Sequence, residues 1–363
     1  MSLLPTSSEL VARARADLRV GLPVVLGERA QGLIALAAET LTPARLSALR
    51  SLAGQPHVAL TARRAETLRA RAYDGDLARV ILPPDVDAAW VRALADPALD
   101  LDAPMKGPLA TAREGAVGLH RLALLLAKSA QLLPAMVTLE TDDPAGIAAT
   151  LMATCLTPEA AASDLALHHP LSPVAQARLP MEAAEQGRLH IFRPDNGGIE
   201  HYAIEIGRPD RDKPVLARLH SACFTGDVLG SLKCDCGPQL HAALGAMGQA
   251  GAGVLLYLNQ EGRGIGLANK MRAYSLQDQG FDTVEANHRL GFEDDERDFR
   301  IGADLLRKMG FRAVRLMTNN PRKTAMMEAE GVAVTERVPL ITGTNRHNAH
   351  YLSVKRDKSG HML

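Results

Sequence analysis

Over about the first 140 residues, short apolar runs ("PVVLG", "GLIALAA", "HVALT", "ARVILP", "AMVTLE") alternate with longer stretches whose apolar positions recur at helical spacing, such as "TPARLSALRSLAG" and "GAVGLHRLALLLAKSAQLL". Brief apolar runs bounded by turn residues predict buried strands, and 3.6-residue periodicity predicts amphipathic helices. Their alternation predicts layered α/β structure. Periodicity lapses and proline gathers around "HHPLSPVAQARLP", so a linker is expected over 156–190. Beyond it the alternation resumes with "KPVLARLH", "PQLHAALGAMGQAG", "GVLLYLN", "FRIGADLLRKMG", "AVRLMTN" and "VAVTERVPL". The expectation is an α/β protein with mixed (α+β) sheets and two domains, 1–155 and 191–363, each a layered sheet with helices. A chain of 363 residues fits two domains better than one.

Charge adds a restriction. Lys plus Arg and Asp plus Glu are both 41, so no global field favours nucleic acid or an anionic membrane, and any anion must be held locally. No stretch reaches the ~18 unbroken apolar residues of a membrane helix. The start "MSLLPTSSELVARARADLRV" has no leader-like apolar core, which together with four cysteines predicts a cytoplasmic protein with reduced thiols.

Three of those cysteines, Cys223, Cys234 and Cys236, form C-x10-C-x-C after a strand-like segment and before a helix. Thiolates bind Zn²⁺ tightly, and three protein ligands leave a fourth position open, as in catalytic zinc sites. Cys155 stands alone and reads as a small buried hydrophobe. "NQEGRGIGLANK" follows the buried strand "GVLLY", and its glycines at 262, 264 and 266 let backbone N–H groups approach an anion at a helix start. A plain strand-to-helix turn would look the same, but Arg263 within it favours the anion. Thr318 ends a further strand in "TNNPRKTAMMEAEG", with Arg322 and Lys323 in the next helix's first turn, where bases oppose the helix dipole unless an anion joins them. The run Glu293, Asp294, Asp295, Glu296 reads either as capping acids or as a general base.

In "RLHSACFTGDVLGSLKCDCG", "QEGRGIGLANKMRAYSLQDQGFDTVEANHRLGF", "DERDF", "TNNPRK", "ERVPL" and the tail "HYLSVKRDKSGHML", the stretch 190–363 resembles GTP cyclohydrolase II, the first committed enzyme of riboflavin synthesis. The resemblance implies zinc-dependent opening of the guanine imidazole ring, with loss of C8 as formate and release of pyrophosphate, leaving 2,5-diamino-6-(5-phosphoribosylamino)pyrimidin-4(3H)-one. It implies Cys223, Cys234 and Cys236 as zinc ligands, one Zn²⁺ per chain, and Mg²⁺ with the GTP phosphates. It implies GTP contacts at Arg218, Leu219, His220, Ser221, Ala222, Gln239, Glu261, Gly262, Arg263, Thr283, Thr318 and Lys323. Tyr274 falls beside the ring chemistry, Asp295 on the proton acceptor, and Arg297 on the nucleophile at the α-phosphorus. An arginine has no free lone pair at neutral pH, so a charge clamp is at least as reasonable for Arg297. A homodimer is expected, with GTP as the small-molecule partner.

Two positions depart from the family pattern. Ala222 stands where a glutamate usually precedes the first cysteine, and Asn259 where a base is common. A paralogue acting on another nucleotide or pyrimidine, or a GTP-binding regulator with little turnover, are the rival readings.

Residues 10–140 resemble a shortened 3,4-dihydroxy-2-butanone 4-phosphate synthase. Its acidic run after the first strand is reduced here to Glu28 in "GERAQG", too few oxygens for a hard cation. An inactive domain is expected, serving packing, dimerisation or regulation. His120 is expected to be packed, and His168 and His169 solvated.

Overall fold

The computed structural model describes residues 3–101, 106–166, 168–340 and 342. The tail "HYLSVKRDKSGHML" lies outside the described residues. The chain divides into two compact units, one of residues 1–167 with 268–296, the other of 168–267 with 297–363.

In the first unit, β1 (Val24–Glu28), β2 (Gln31–Ala37), β3 (His57–Thr61), β4 (Leu77–Ile81), β5 (Ala135–Thr141) and β6 (Thr154–Leu156) form a six-stranded sheet in the order β4-β3-β5-β2-β1-β6. All of its pairs are antiparallel except β1 with β6. Helix Ser7–Arg19 starts in a capping box, with Thr6 and Glu9 each closing the other's backbone N–H, and buries Val11, Ala14 and Leu18 along one face. Helix Gly118–Ser129 buries Leu122, Ala123, Leu126 and Ala127 in the same core. Each large apolar side chain so buried contributes roughly 1.5–3 kcal/mol.

In the second unit, β7 (Leu171–Arg178), β8 (Gly187–Pro194), β9 (His201–Ile206), β10 (Val215–Ser221), β11 (Gly253–Leu258), β12 (Ala313–Met317) and β13 (Ala333–Val338) run in the order β13-β12-β10-β11-β9-β8-β7. β10 to β13 are parallel, and β7 to β9 complete the sheet antiparallel. Alternate residues of the parallel strands serve opposite faces. Val254 and Leu256 pack with Ala303 and Leu306 of helix Arg300–Lys308, whereas Leu255 packs with Ala243 and Met247 of helix Cys236–Ala250. From β10 the chain moves to β11 on one side and then returns to β12 on the other. That reversal opens a crevice at the carboxyl end of β10, where ligands of open α/β sheets bind.

The α/β reading holds. The stretch 156–190, expected as a linker, instead contains helix Pro158–Ala166 and strand β7. Proline misled the reading: Pro158 opens the helix, and Pro173 sits at an irregularity of an edge strand, both positions that tolerate it. Segment 268–296 groups with the first unit although the sequence resemblance runs straight through it.

Candidate active and metal site

β10 ends at Ser221, and the chain turns through Cys223 into the four-residue helix Phe224–Asp227. Cys236 opens helix Cys236–Ala250. The three sulfurs lie within 4.8 Å of one another, with Cys223 and Cys234 buried and Cys236 half-buried. Among the described residues they are the one such group of metal-ligating side chains. Cys223 and Cys234 Sγ are 3.7 Å apart, and this contact pushes the Cys234 thiol above its ordinary range. A cation would reverse that penalty by favouring the thiolates. The helix N-terminus under Cys236 acts in the same direction. Gly226 clears the space: a Cβ there would lie 2.9 Å from Cys234 Sγ, 3.0 Å from Cys223 Sγ and 3.1 Å from Cys236 Cβ. Soft donors, mutual distance and the cleared cradle all fit a zinc-type ion.

The backbone beside Cys223 is held group by group. Ala222 N–H donates to the Leu258 carbonyl at 2.7 Å, and Phe224 N–H donates to Glu261 Oε2 at 2.6 Å. A carboxylate thus reaches this turn from β11's side, although Ala222 carries none itself.

Cations gather at the end of the same strand. Arg218 is buried, and burial pushes its guanidinium down to about 10, against the opposing pull of Cys236, Asp235 and Asp227. Its Nη2 donates to Gln239 Oε1 at 2.5 Å, Gln239 donates on to the buried Asp235, and Arg218 Nη1 donates to the Met317 carbonyl at 3.3 Å. Arg218 Nε is a buried donor without an acceptor among the described residues. Arg297 Nη1 donates to Ser221 Oγ at 3.2 Å and Lys323 Nζ to the Leu219 carbonyl at 3.1 Å. Both cations lie over the Phe299 ring, at 4.7 and 4.9 Å from its centroid. Leu219 contributes only that carbonyl, because its side chain is in the core against Gly302. Thr318 follows β12, and its hydroxyl accepts from Asn320 N–H at 3.0 Å. Asn320 in turn caps helix Pro321–Ala329 through Arg322 N–H.

The glycine-rich turn differs from an open backbone cradle. Gly262 and Arg263 both take left-handed backbone angles (φ 64° and 63°), and Gly264 and Gly266 are also at positive φ. Gly262 N–H donates to Glu261 Oε1, Gly264 N–H to the Gln260 carbonyl and Gly266 N–H to the Glu261 carbonyl. These donors close the turn on itself, so the backbone cradle expected from the sequence is not formed by the glycines. The left-handed residue Arg263 carries strain of ~1 kcal/mol, of a kind that clusters at functional sites.

Tyr274, Thr283 and Asp295 all fall in segment 268–296. Tyr274 has the Lys270 ammonium 5.6 Å from its ring centroid, and Thr283 opens helix Thr283–Arg289 behind the Asp282 cap. Of the acidic run, Glu293 pairs with Arg63, Asp294 with His288 and Glu296 with Lys128, while Asp295 is exposed. The run does not cap the following helix. The N-cap of that helix is Phe299, and Asp298 before it accepts from Arg300 N–H at 2.9 Å.

Asn259 is structural: its side-chain amide donates to the Glu200 carbonyl at 2.5 Å and its backbone N–H to His201 Nδ1 at 3.0 Å. His120 is packed as expected. His168 and His169 are not simply solvated, since His168 lies between Asp298 and Asp304 at 3.5 and 3.7 Å and His169 pairs with Asp195 at 3.1 Å. Gly226, Asp227, Tyr257 and Phe299 were not anticipated. Gly226 and Asp227 lie between Cys223 and Cys234, so that spacing was the available signal, whereas nothing in the sequence around Tyr257 and Phe299 sets them apart.

Crowded thiols that could hold a metal ion and braced cations meet at the carboxyl end of the parallel strands, the place where enzymes of the open α/β class carry their sites. Residues 172–339 match the family described as GTP cyclohydrolase II. A GTP cyclohydrolase-2 of Azospirillum brasilense is 44% identical over 361 residues, 97% of this chain and 94% of that one. One from Azotobacter vinelandii is 58% identical over 175 residues, 48% of this chain and 84% of that one. A two-domain 3,4-dihydroxy-2-butanone 4-phosphate synthase from A. baumannii covers 86% of this chain and 94% of its own, at 18% identity and a TM-score of 0.31. The chain belongs to the GTP cyclohydrolase II family and is an enzyme of it.

Proposed function

We propose that this enzyme hydrolyses GTP to 2,5-diamino-6-(5-phosphoribosylamino)pyrimidin-4(3H)-one, formate and pyrophosphate, at the start of riboflavin synthesis. The observation that carries the reading is the three-cysteine cluster at the end of the strand that also bears Arg218 and receives Arg297 and Lys323. Cys223, Cys234 and Cys236 would hold Zn²⁺, which supplies Lewis acidity for hydrolytic opening of the imidazole ring. Arg297 and Lys323, braced on Phe299, are suited to clamp phosphate charge, and Mg²⁺ would accompany those phosphates. Arg297 acts as a cation here: its hydrogen bond to Ser221 and its ring contact hold the guanidinium in place, and it has no lone pair with which to attack phosphorus. Arg263 is a further phosphate contact. Arg218, Leu219, His220, Ser221, Ala222, Gln239, Glu261, Gly262, Thr283 and Thr318 complete the proposed GTP contacts, with Tyr274 near the ring chemistry and Asp295 as proton acceptor. The protein works as a cytoplasmic homodimer. The N-terminal part, 1–155, is an inactive relative of the butanone phosphate synthase: Glu28 ends β1 with Arg29 3.8 Å away and no second acid in the "GERAQG" stretch.

The test is release of formate and pyrophosphate from GTP by zinc-loaded protein with Mg²⁺, beside Cys234→Ser. Both products from the wild type and neither from the variant are expected. GTP binding without either product would overturn the assignment.

A further inference from the structure

Asp227 lies four residues after Cys223, and its side chain is 3% exposed. Its Oδ2 accepts the Cys223 N–H at 3.0 Å and the Tyr257 hydroxyl at 2.9 Å. His220 Nε2 faces the same carboxylate at 3.0 and 3.1 Å from its two oxygens. Asp227's own N–H donates back to the Cys223 carbonyl at 2.7 Å. A carboxylate so buried persists only when its oxygens are matched by donors, and here the donors come from three places. One is the main chain of a cysteine in the metal cluster; the others are register partners on adjacent strands, His220 of β10 and Tyr257 of β11. Their rings stack at 5.5 Å, and Tyr202 on β9 continues the stack at 6.3 Å from Tyr257. The imidazole therefore has little freedom to turn away from the acid.

We propose that Asp227 is a positioning residue of the metal and substrate site: it pins the backbone at Cys223 and keeps the His220 proton on Nε2, leaving Nδ1 as an acceptor. The inference rests on the metal reading above and extends it to residues with no part in ligation. A carboxylate can only accept, so a neutral imidazole facing it must present N–H on that side. Partners that orient a site from behind are worth about 10–100-fold in metal affinity. Asparagine in place of Asp227 keeps the shape but presents an N–H₂ group, which cannot accept from three donors at once.

The experiment is chelator competition for Zn²⁺ on the full chain, wild type against Asp227→Asn, with the imidazole ¹⁵N shifts of His220 read in both. Expected are a 10–100-fold loss of zinc affinity in Asp227→Asn and a wild-type His220 protonated on Nε2, with the proton moved in the variant. Unchanged zinc affinity together with an unchanged tautomer in Asp227→Asn would overturn the proposal. Should the variant fail to fold, the wild-type shifts still decide, because a proton on Nδ1 is incompatible with the proposed role. Failure of the underlying metal reading looks different: wild type and Cys234→Ser would then bind zinc equally weakly.

Discussion

The two sheets end differently. In the first unit the β1–β2 turn leads into a wide cleft of about 1080 Å³, lined by apolar residues such as Leu33, Leu119 and Leu139 with scattered Gln31, Glu140 and Asp142. At the end of β10 in the second unit the groups are crowded: three thiols within 4.8 Å, a buried Arg218 and a buried Asp227. Volume is thus a poor guide to chemistry in this chain. Buried charged groups cost free energy unless something compensates them, so their concentration at one strand end is the more informative feature.

The sharpest way to break this contrast is to fill the cradle. Gly226→Ala places a methyl group against Cys223, Cys234 and Cys236 and is expected to lower zinc affinity toward the upper end of about 10–100-fold, read by chelator competition. Wild-type affinity would mean that the cysteines do not close around an ion at Gly226.

An effect of comparable size concerns acid, which the two units should feel alike. Burial pushes His120 in the first unit and His201 in the second down to about 4. Both folded values lie below the unfolded ~6.5, so stability from the neutral forms is full above pH 6.5 and is lost as pH falls toward 4. The loss reaches roughly 3 kcal/mol per group. Protonation of His201 also removes the acceptor for Asn259 N–H. His120→Leu should narrow the drop in thermal midpoint between pH 7 and pH 4.5. An identical drop in variant and wild type would remove His120 from the account.

The smallest expected effect is none. Glu28→Ala should leave GTP turnover within about twofold of wild type, since Glu28 is exposed and at 3.8 Å makes only a surface ion pair with Arg29. A large loss would give the first sheet a part in catalysis and end the contrast.

Much of the second unit was legible in the sequence. C-x10-C-x-C marked the thiol cluster, and the apolar strands around it marked a layered α/β sheet without telling which strands run parallel. Charge at "TNNPRK" and "DERDF" marked the cations, although their support on Phe299 depends on a packing that spacing does not reveal. Asp227 was missed for a physical reason: its partners His220 and Tyr257 are 7 and 30 residues away and meet it only through the β10–β11 register. The glycine turn misled because glycine permits both an anion cradle and a self-closed left-handed turn, and the choice lies in hydrogen bonds that composition does not carry. The supposed linker misled because proline marks helix starts and edge strands as well as loops.

The measurement that tests the central claim most directly is titration of metal-stripped full-length protein with Zn²⁺, following bound zinc and formate release from GTP together. The account predicts that turnover rises in step with bound zinc and levels off at one ion per chain, with no rise in Cys234→Ser. Full turnover without zinc, or an equal rise in Cys234→Ser, would contradict it.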